Sequence, residues 1–156
     1  MKIVLIVVGS TKEQYLIDGL FRYQERIKHY IPFEILEIST KQVGNTPKNS
    51  LKILEGKNIL KKLLPSDHVV ALDEKGVTFT SLKFADKIQS WMSRGIRRLI
   101  FIIGGPYGFS DDIYARANEK ISLSNMTFSH QMVRLFFAEQ LYRGYTILNN
   151  EPYHNK

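Results

Sequence analysis

Leu99-Ile100-Phe101-Ile102-Ile103-Gly104-Gly105-Pro106-Tyr107-Gly108 runs five apolar residues straight into a glycine-rich turn. An unbroken, largely β-branched run of that length predicts a short strand covered on both faces, as in the middle of a parallel sheet. The paired glycines let backbone approach a flat ligand closely, and Pro106 restrains the turn. Such a turn is as well explained by chain reversal alone, and the chain holds neither a Gly-x4-Gly-Lys-Ser/Thr phosphate loop nor a Gly-x-Gly-x-x-Gly fingerprint.

Three comparable runs precede it, at residues 2–8, 33–38 and 68–72. Helical patterns fill the intervals. Leu16, Leu20, Tyr23 and Ile27 form an apolar stripe in a helix over 12–30, stopped by Pro32. A second helix is predicted over 47–64, with Pro47 in its first turn and Pro65 after its end, and a third over 81–94 before Gly95. Lys75-Gly76 reads as a turn. The order βαβαβαβ predicts an α/β protein with a mostly parallel sheet flanked by helices. No repeat, linker or low-complexity stretch divides it, so residues 1–156 are read as a single domain.

Composition narrows the chemistry. Without cysteine there is no disulfide framework, thiolate metal site or cysteine nucleophile, and His29, His68, His130 and His154 are too scattered to suggest a metal cluster. The apolar opening is too short to span a membrane and lacks the flanks of a signal peptide, so no membrane partner and a cytoplasmic location are expected. Lys+Arg exceed Asp+Glu by 22 to 15, a net charge of +7 that favours a polyanionic partner, nucleic acid first. Lys41, Lys48, Lys52, Lys57, Lys61 and Lys62 are candidates to grip phosphates, although each alone also reads as solvated helix surface.

In an open parallel sheet ligands bind beyond the carboxyl ends of strands, which directs attention to the loops after Leu72, Ile103 and Leu123. The last reads Ile121-Ser122-Leu123-Ser124-Asn125-Met126-Thr127-Phe128-Ser129-His130: a short strand, then hydroxyl residues that suit either a ligand or a turn. Ser129 is a plausible N-cap for a final helix over 130–148, which carries Met132, Val133, Phe136, Phe137, Leu141, Tyr142 and Tyr145. That much apolar surface calls for a second subunit as cover. On the same helix Glu139 and Arg143 stand four apart and pair on one face. The tail ends with Pro152, Tyr153 and His154: an aromatic ring able to stack on a base beside an imidazole able to exchange a proton.

Ile103-Gly104-Gly105-Pro106-x-Gly108, Leu123-Ser124-x-Met126-Thr127-Phe128-x-His130-Gln131-Met132-x-Arg134, Glu139-Gln140-x-Tyr142-Arg143 and Pro152-Tyr153-His154, taken in this order, resemble the bacterial ribosomal large-subunit (23S rRNA) pseudouridine N3-methyltransferase family. The resemblance covers essentially the whole chain. It implies a SPOUT fold with a deep C-terminal trefoil knot and S-adenosylmethionine held among Leu72, Gly104, Gly105, Leu123, Ser124, Asn125, Met126, Thr127, Phe128 and Ser129. It also implies a homodimer in which one subunit's tail completes the other's site, and large-subunit rRNA, within the ribosome, as partner. His154 is the first candidate for moving the imide proton, Tyr153 for orienting the base and Arg143 for holding a phosphate or carbonyl. Glu139 would orient Arg143, and His130 is the reserve base. The reaction needs no metal. The rival readings are a knotted methyltransferase acting on tRNA or another rRNA base, and a non-enzymatic RNA-binding or ribosome-assembly protein.

Overall fold

The computed structural model describes residues 1–39 and 45–155; Lys41 and Lys156 lie outside them. In chain order the elements are β1 (Lys2–Val8), α1 (Gln14–Lys28), β2 (Phe33–Ile38), α2 (Lys48–Leu60), β3 (His68–Thr78), α3 (Ser81–Ser93), β4 (Arg98–Ile103), α4 (Asp111–Arg116), β5 (Glu119–Ser122) and α5 (Met132–Leu148). The strands form one parallel sheet in the order β2-β1-β4-β3-β5.

Alternation along β1 shows why both faces are covered. Ile3, Leu5 and Val7 join Phe101, Trp91 and Phe137 in a core shared with α1, α3 and α5. Val4, Ile6 and Val8 point the other way, joining Ile100, Ile102, Ile59 and Ile113 beneath α2 and α4. Strands buried on two sides carry no polar face, which is why their sequences read as continuous apolar runs.

Several boundaries differ from those expected. The first helix begins at Gln14 and the last at Met132, and Pro47 occupies the cap position of α2 instead of its first turn. Gln131 takes the cap position of α5 in place of Ser129, whose Oγ nevertheless accepts the Met132 amide at 3.1 Å. The short helix α4 was not foreseen, since six residues are too few for an apolar period to register. Lys75-Gly76 is not a turn ending a strand. It sits in an irregularity inside β3, where Leu72 and Val77 both register with Ile121. A Cβ on Gly76 would stand 2.5 Å from the Ile121 backbone, so only glycine fits that crossing.

The amino-terminal edge of the sheet is fastened by Glu119 at the start of β5. Its carboxylate accepts from Trp91 Nε1 at 2.9 Å, contacts His68 Nε2 at 2.8 Å and pairs with Lys87 Nζ. Burial alone raises the Glu119 pKa, but hydrogen bonds from Lys87, Trp91 and His68 outweigh it and hold the carboxyl below its ordinary 4.5. Glu119→Gln is expected to cost about 2 kcal/mol in chemical denaturation at pH 7. Because the folded pKa is lowered, the wild type's advantage is present at neutral pH and vanishes as pH falls through the Glu119 value, which denaturation at stepped pH will read.

Candidate active site

The carboxyl ends of β4 and β5 and the irregular middle of β3 open into a cleft of about 780 Å³, within the range of sites that take nucleotide-sized ligands. Its wall includes Leu72 and Asp73 from β3, Gly104 to Gly108 after β4, and Leu123, Ser124, Met126, Thr127, Phe128, Ser129 and His130 after β5. Two loops and the β3 irregularity, far apart in sequence, thus meet where β3 stops pairing with β4, at Leu72 beside Ile103. Asn125, between Ser124 and Met126, is exposed and off the wall.

Backbone supplies much of that surface. Gly104 and Gly105 present no side chain, and a Cβ would stand 3.2 Å from the Phe109 ring at the first and 2.7 Å from Glu55 Oε2 at the second. Gly108, at φ +81°, closes the turn by donating its amide to the Gly105 carbonyl at 3.1 Å. In the facing loop, Ser122 Oγ donates to the Ser124 carbonyl at 2.7 Å and Ser124 Oγ accepts the Met126 amide at 2.9 Å. These hydroxyls therefore shape the loop, as turn residues do, while the loop itself walls the cleft.

Sequence reasoning did not single out the pairing of Tyr114 with Asp73 in this wall. Tyr114, on the unforeseen α4, donates its hydroxyl to Asp73 Oδ2; burial, and then Asp73, push its pKa far up, so it remains a donor. Asp73 also accepts the Lys75 amide at 2.8 Å, fixing the start of the β3 irregularity. A carboxylate just after a strand was the signal available at this edge; nothing in the chain's pattern pointed to Tyr114.

Arg134 ties the third loop to the first strand. Its side chain is fully buried and donates to the carbonyls of Val8 at 2.6 Å, Gly9 at 3.0 Å and His130 at 3.0 Å, and to Thr11 Oγ1 at 3.0 Å. Gln131 adds a second strut, accepting the Lys12 amide and donating to the Ser10 carbonyl. Burial, and then the positive charges of Arg134 and Lys12, hold the His130 imidazole below its ordinary 6.5. His130 therefore faces the cleft neutral at pH 7, able to accept a proton.

The remaining candidates gather elsewhere. Arg143 donates through Nε and Nη2 to Glu139 Oε1, and its Nη1 lies 3.3 Å from His154 Nδ1. Tyr153 donates to Glu139 Oε1 at 3.0 Å, lies under the Arg143 guanidinium and meets Tyr23 hydroxyl to hydroxyl at 3.2 Å. Guanidinium has no acceptor, so in this contact His154 Nδ1 is the acceptor and Nε2 is the ring's donor. None of these four residues lines the cleft. Val133 does, and Arg143, ten residues further along α5, stands roughly 15 Å away down the helix axis.

Among the described residues, no group of three or more His, Asp or Glu is arranged to hold a metal ion, and no helix is long and apolar enough to cross a membrane. Lys52 lines the cleft, Lys48 lies over the Tyr107 ring, and Lys57, Lys61 and Lys62 are exposed.

An open parallel α/β domain whose strand-end loops ring a glycine-floored cleft is the architecture of a small group-transfer or nucleotide-binding enzyme. The family described as "Predicted SPOUT methyltransferase" matches residues 1–154. Proteins called ribosomal RNA large subunit methyltransferase H are 52% identical in Parabacteroides distasonis, 52% in Flavobacterium psychrophilum and 54% in Phocaeicola vulgatus, each match covering all of both chains. A solved "probable methylase family protein" from Haemophilus influenzae superposes with a TM-score of 0.54 at 12% identity, over 99% of this chain and 70% of that one. The chain belongs to the SPOUT methyltransferase family, and its five-stranded sheet is the fold of that family.

Two measurements check this geometry. Arg134→Met leaves three carbonyls without their donor and is expected to cost about 3 kcal/mol, seen as a fall of roughly 6–12 °C in the thermal midpoint. Titrating the histidines by NMR should find His130 protonating below pH 6.5.

Proposed function

We propose that the chain transfers a methyl group from S-adenosylmethionine to N3 of a pseudouridine in large-subunit ribosomal RNA, acting as a homodimer in the cytoplasm. The observation that carries this reading is the separation of two clusters on one chain: the strand-end cleft and the Glu139–Arg143–Tyr153–His154 group roughly 15 Å down α5.

The cleft fits the proposed cofactor on its own chemistry. Gly104 and Gly105 present bare backbone to the cleft, Leu72, Leu123 and Phe128 offer apolar contact to a flat base, and Asp73 offers a carboxylate to hydroxyls or an ammonium group. When bound there, S-adenosylmethionine supplies an already activated methyl group, so the protein's work is orientation and proton handling. Asn125 is retained in the binding run through its backbone.

The second cluster suits an RNA base. Tyr153 offers a ring face or edge, Arg143 binds phosphate or a base carbonyl, and Glu139 fixes Arg143 in place. His154, with Nδ1 turned to Arg143, presents Nε2–H to a carbonyl beside N3 and stabilises the charge left when the imide proton departs. With both His154 ring nitrogens so engaged, the neutral His130 at the cleft takes that proton.

A second copy of the chain brings the two clusters together. Tyr15, Ile17 and Phe21 on α1 and Phe136 on α5 are exposed large apolar residues on neighbouring helices, with Phe136 packed 4.7 Å from Phe128 of the cleft wall. An apolar face that borders the cleft is where a twofold partner would bury surface and deliver its tail. The C-terminal knot implied by the family resemblance is part of the same proposal.

Mixing two inactive variants tests both cofactor and assembly. His154→Ala removes the tail group, Thr127→Trp fills the cleft, and each homodimer should bind ribosomes yet transfer little tritiated methyl from S-adenosylmethionine. After mixed refolding, about a quarter of wild-type activity per chain is expected, since half the dimers are mixed and each holds one intact site. No recovery would mean that each chain completes its own site. Wild-type protein that fails to bind S-adenosylmethionine in calorimetry would overturn the cofactor.

A further inference from the structure

Glu55 is a carboxylic acid where the fold has no structural use for one. It lies on α2 facing inward, 4% exposed, and its neighbours Leu51 and Ile59 on the same helix are apolar core. Oε2 has no hydrogen-bond partner, and neither has the buried Ser110 Oγ at the start of α4. The void around them, walled by Val8, Ile59, Phe109 and Ile113, holds no space for a water molecule. A leucine or methionine would pack there without leaving a polar atom unmatched.

Its position relative to the cleft is specific. The two carboxyl oxygens stand 2.7 and 2.9 Å from where a Cβ on Gly105 would be, so the acid occupies the space beneath the cofactor turn that a side chain would fill. Gly105 is itself cleft wall, and Lys52, one turn before Glu55 on α2, lines both the cleft and the void. Ser110 reaches the same spot, its Oγ 2.2 Å from a Cβ built on Gly56. Glu55 thus presses on the turn from the side away from the cleft, and the second unmatched group, Ser110, walls the same void against Gly56. Burial pushes the Glu55 carboxyl up from its ordinary value, as expected for an acid waiting on a partner.

The geometry points to Glu55 as a positioning residue for the methyl-donor site: its carboxyl hydrogen-bonds the Gly104–Gly108 turn when that turn settles around the cofactor, with Ser110 as the second contact. The turn then trades an unmatched buried acid for a satisfied one on binding, which makes affinity depend on a residue that never touches the ligand. The inference rests on the proposed S-adenosylmethionine site.

The test compares full-length wild type, E55Q and E55M, in calorimetric titration with S-adenosylmethionine and in ligand-free thermal melting. E55M should melt at or above the wild-type temperature, because an unmatched acid has gone, yet bind at least tenfold more weakly. E55Q, which keeps the shape and the hydrogen-bonding atoms, should bind within threefold of wild type. Binding by E55M within twofold of wild type overturns the inference while leaving the cofactor assignment intact. Equal weakening of E55Q and E55M together with lower ligand-free melting also overturns it, showing simple packing. Wild type that binds no S-adenosylmethionine overturns both. Hydrogen exchange on the wild type needs no variant to fold: the Gly105 and Tyr107 amides should exchange at least tenfold more slowly with saturating ligand, and unchanged exchange sinks the proposal.

Discussion

A guanidinium with no water around it must find its acceptors in the protein, and Arg134 finds them in backbone from both ends of the chain. Carbonyls of Val8 and Gly9, where the central strand β1 ends, and of His130, where α5 approaches, converge on one side chain. Among the described residues its hydrogen bonds go to three carbonyls and the Thr11 hydroxyl and none to a carboxylate, so those dipoles must point inward. The order of the loop after β5 follows from that demand. The loop cannot swing away without abandoning a buried cation, so Phe128, Ser129 and His130 stay at the cleft.

The same charge sets the chemistry of its neighbour. His130 sits beside a permanent cation in a half-buried setting, and both effects favour the neutral ring. At the far end of α5 the electrostatics run the other way. Arg143 is exposed enough to meet a ligand and is held by Glu139, whose carboxylate also takes the Tyr153 hydroxyl. A neutral imidazole therefore sits just before α5 at the cleft and a cationic, aromatic group gathers around its far end, with the helix length keeping them apart.

The acids Glu119, half-buried, and Glu55, buried, are placed differently at the two edges of the sheet. Glu119, where strands β3 and β5 begin, is surrounded by Lys87, Trp91 and His68 and serves stability. Glu55, beneath the strand ends, is left with an unmatched oxygen. Asp67, just before β3, also keeps one buried oxygen without a partner among the described residues, although its other oxygen accepts from Arg98 and from the Leu64 amide; neither Glu55 nor Ser110, beneath the turn after β4, has such a cationic neighbour bonded to its unmatched atom.

Much of this was legible in the amino-acid order. Strands buried on both faces show as continuous apolar runs, and a helix packed on one side shows as a stripe such as Leu16, Leu20 and Ile27, so local patterns announce the elements and their α/β alternation. The Gly104–Gly108 turn and the hydroxyl loop after Leu123 were visible as sites because backbone conformation there depends on residue type. What the order did not contain was distance. The sheet order that lays β3 between β4 and β5, the inward turn of Arg134, the meeting of Tyr114 with Asp73, the unmatched acid at Glu55 and the gap between His130 and His154 all arise from residues remote in sequence. Local propensity constrains each segment separately, while these contacts depend on how whole segments pack, and only the folded chain decides that.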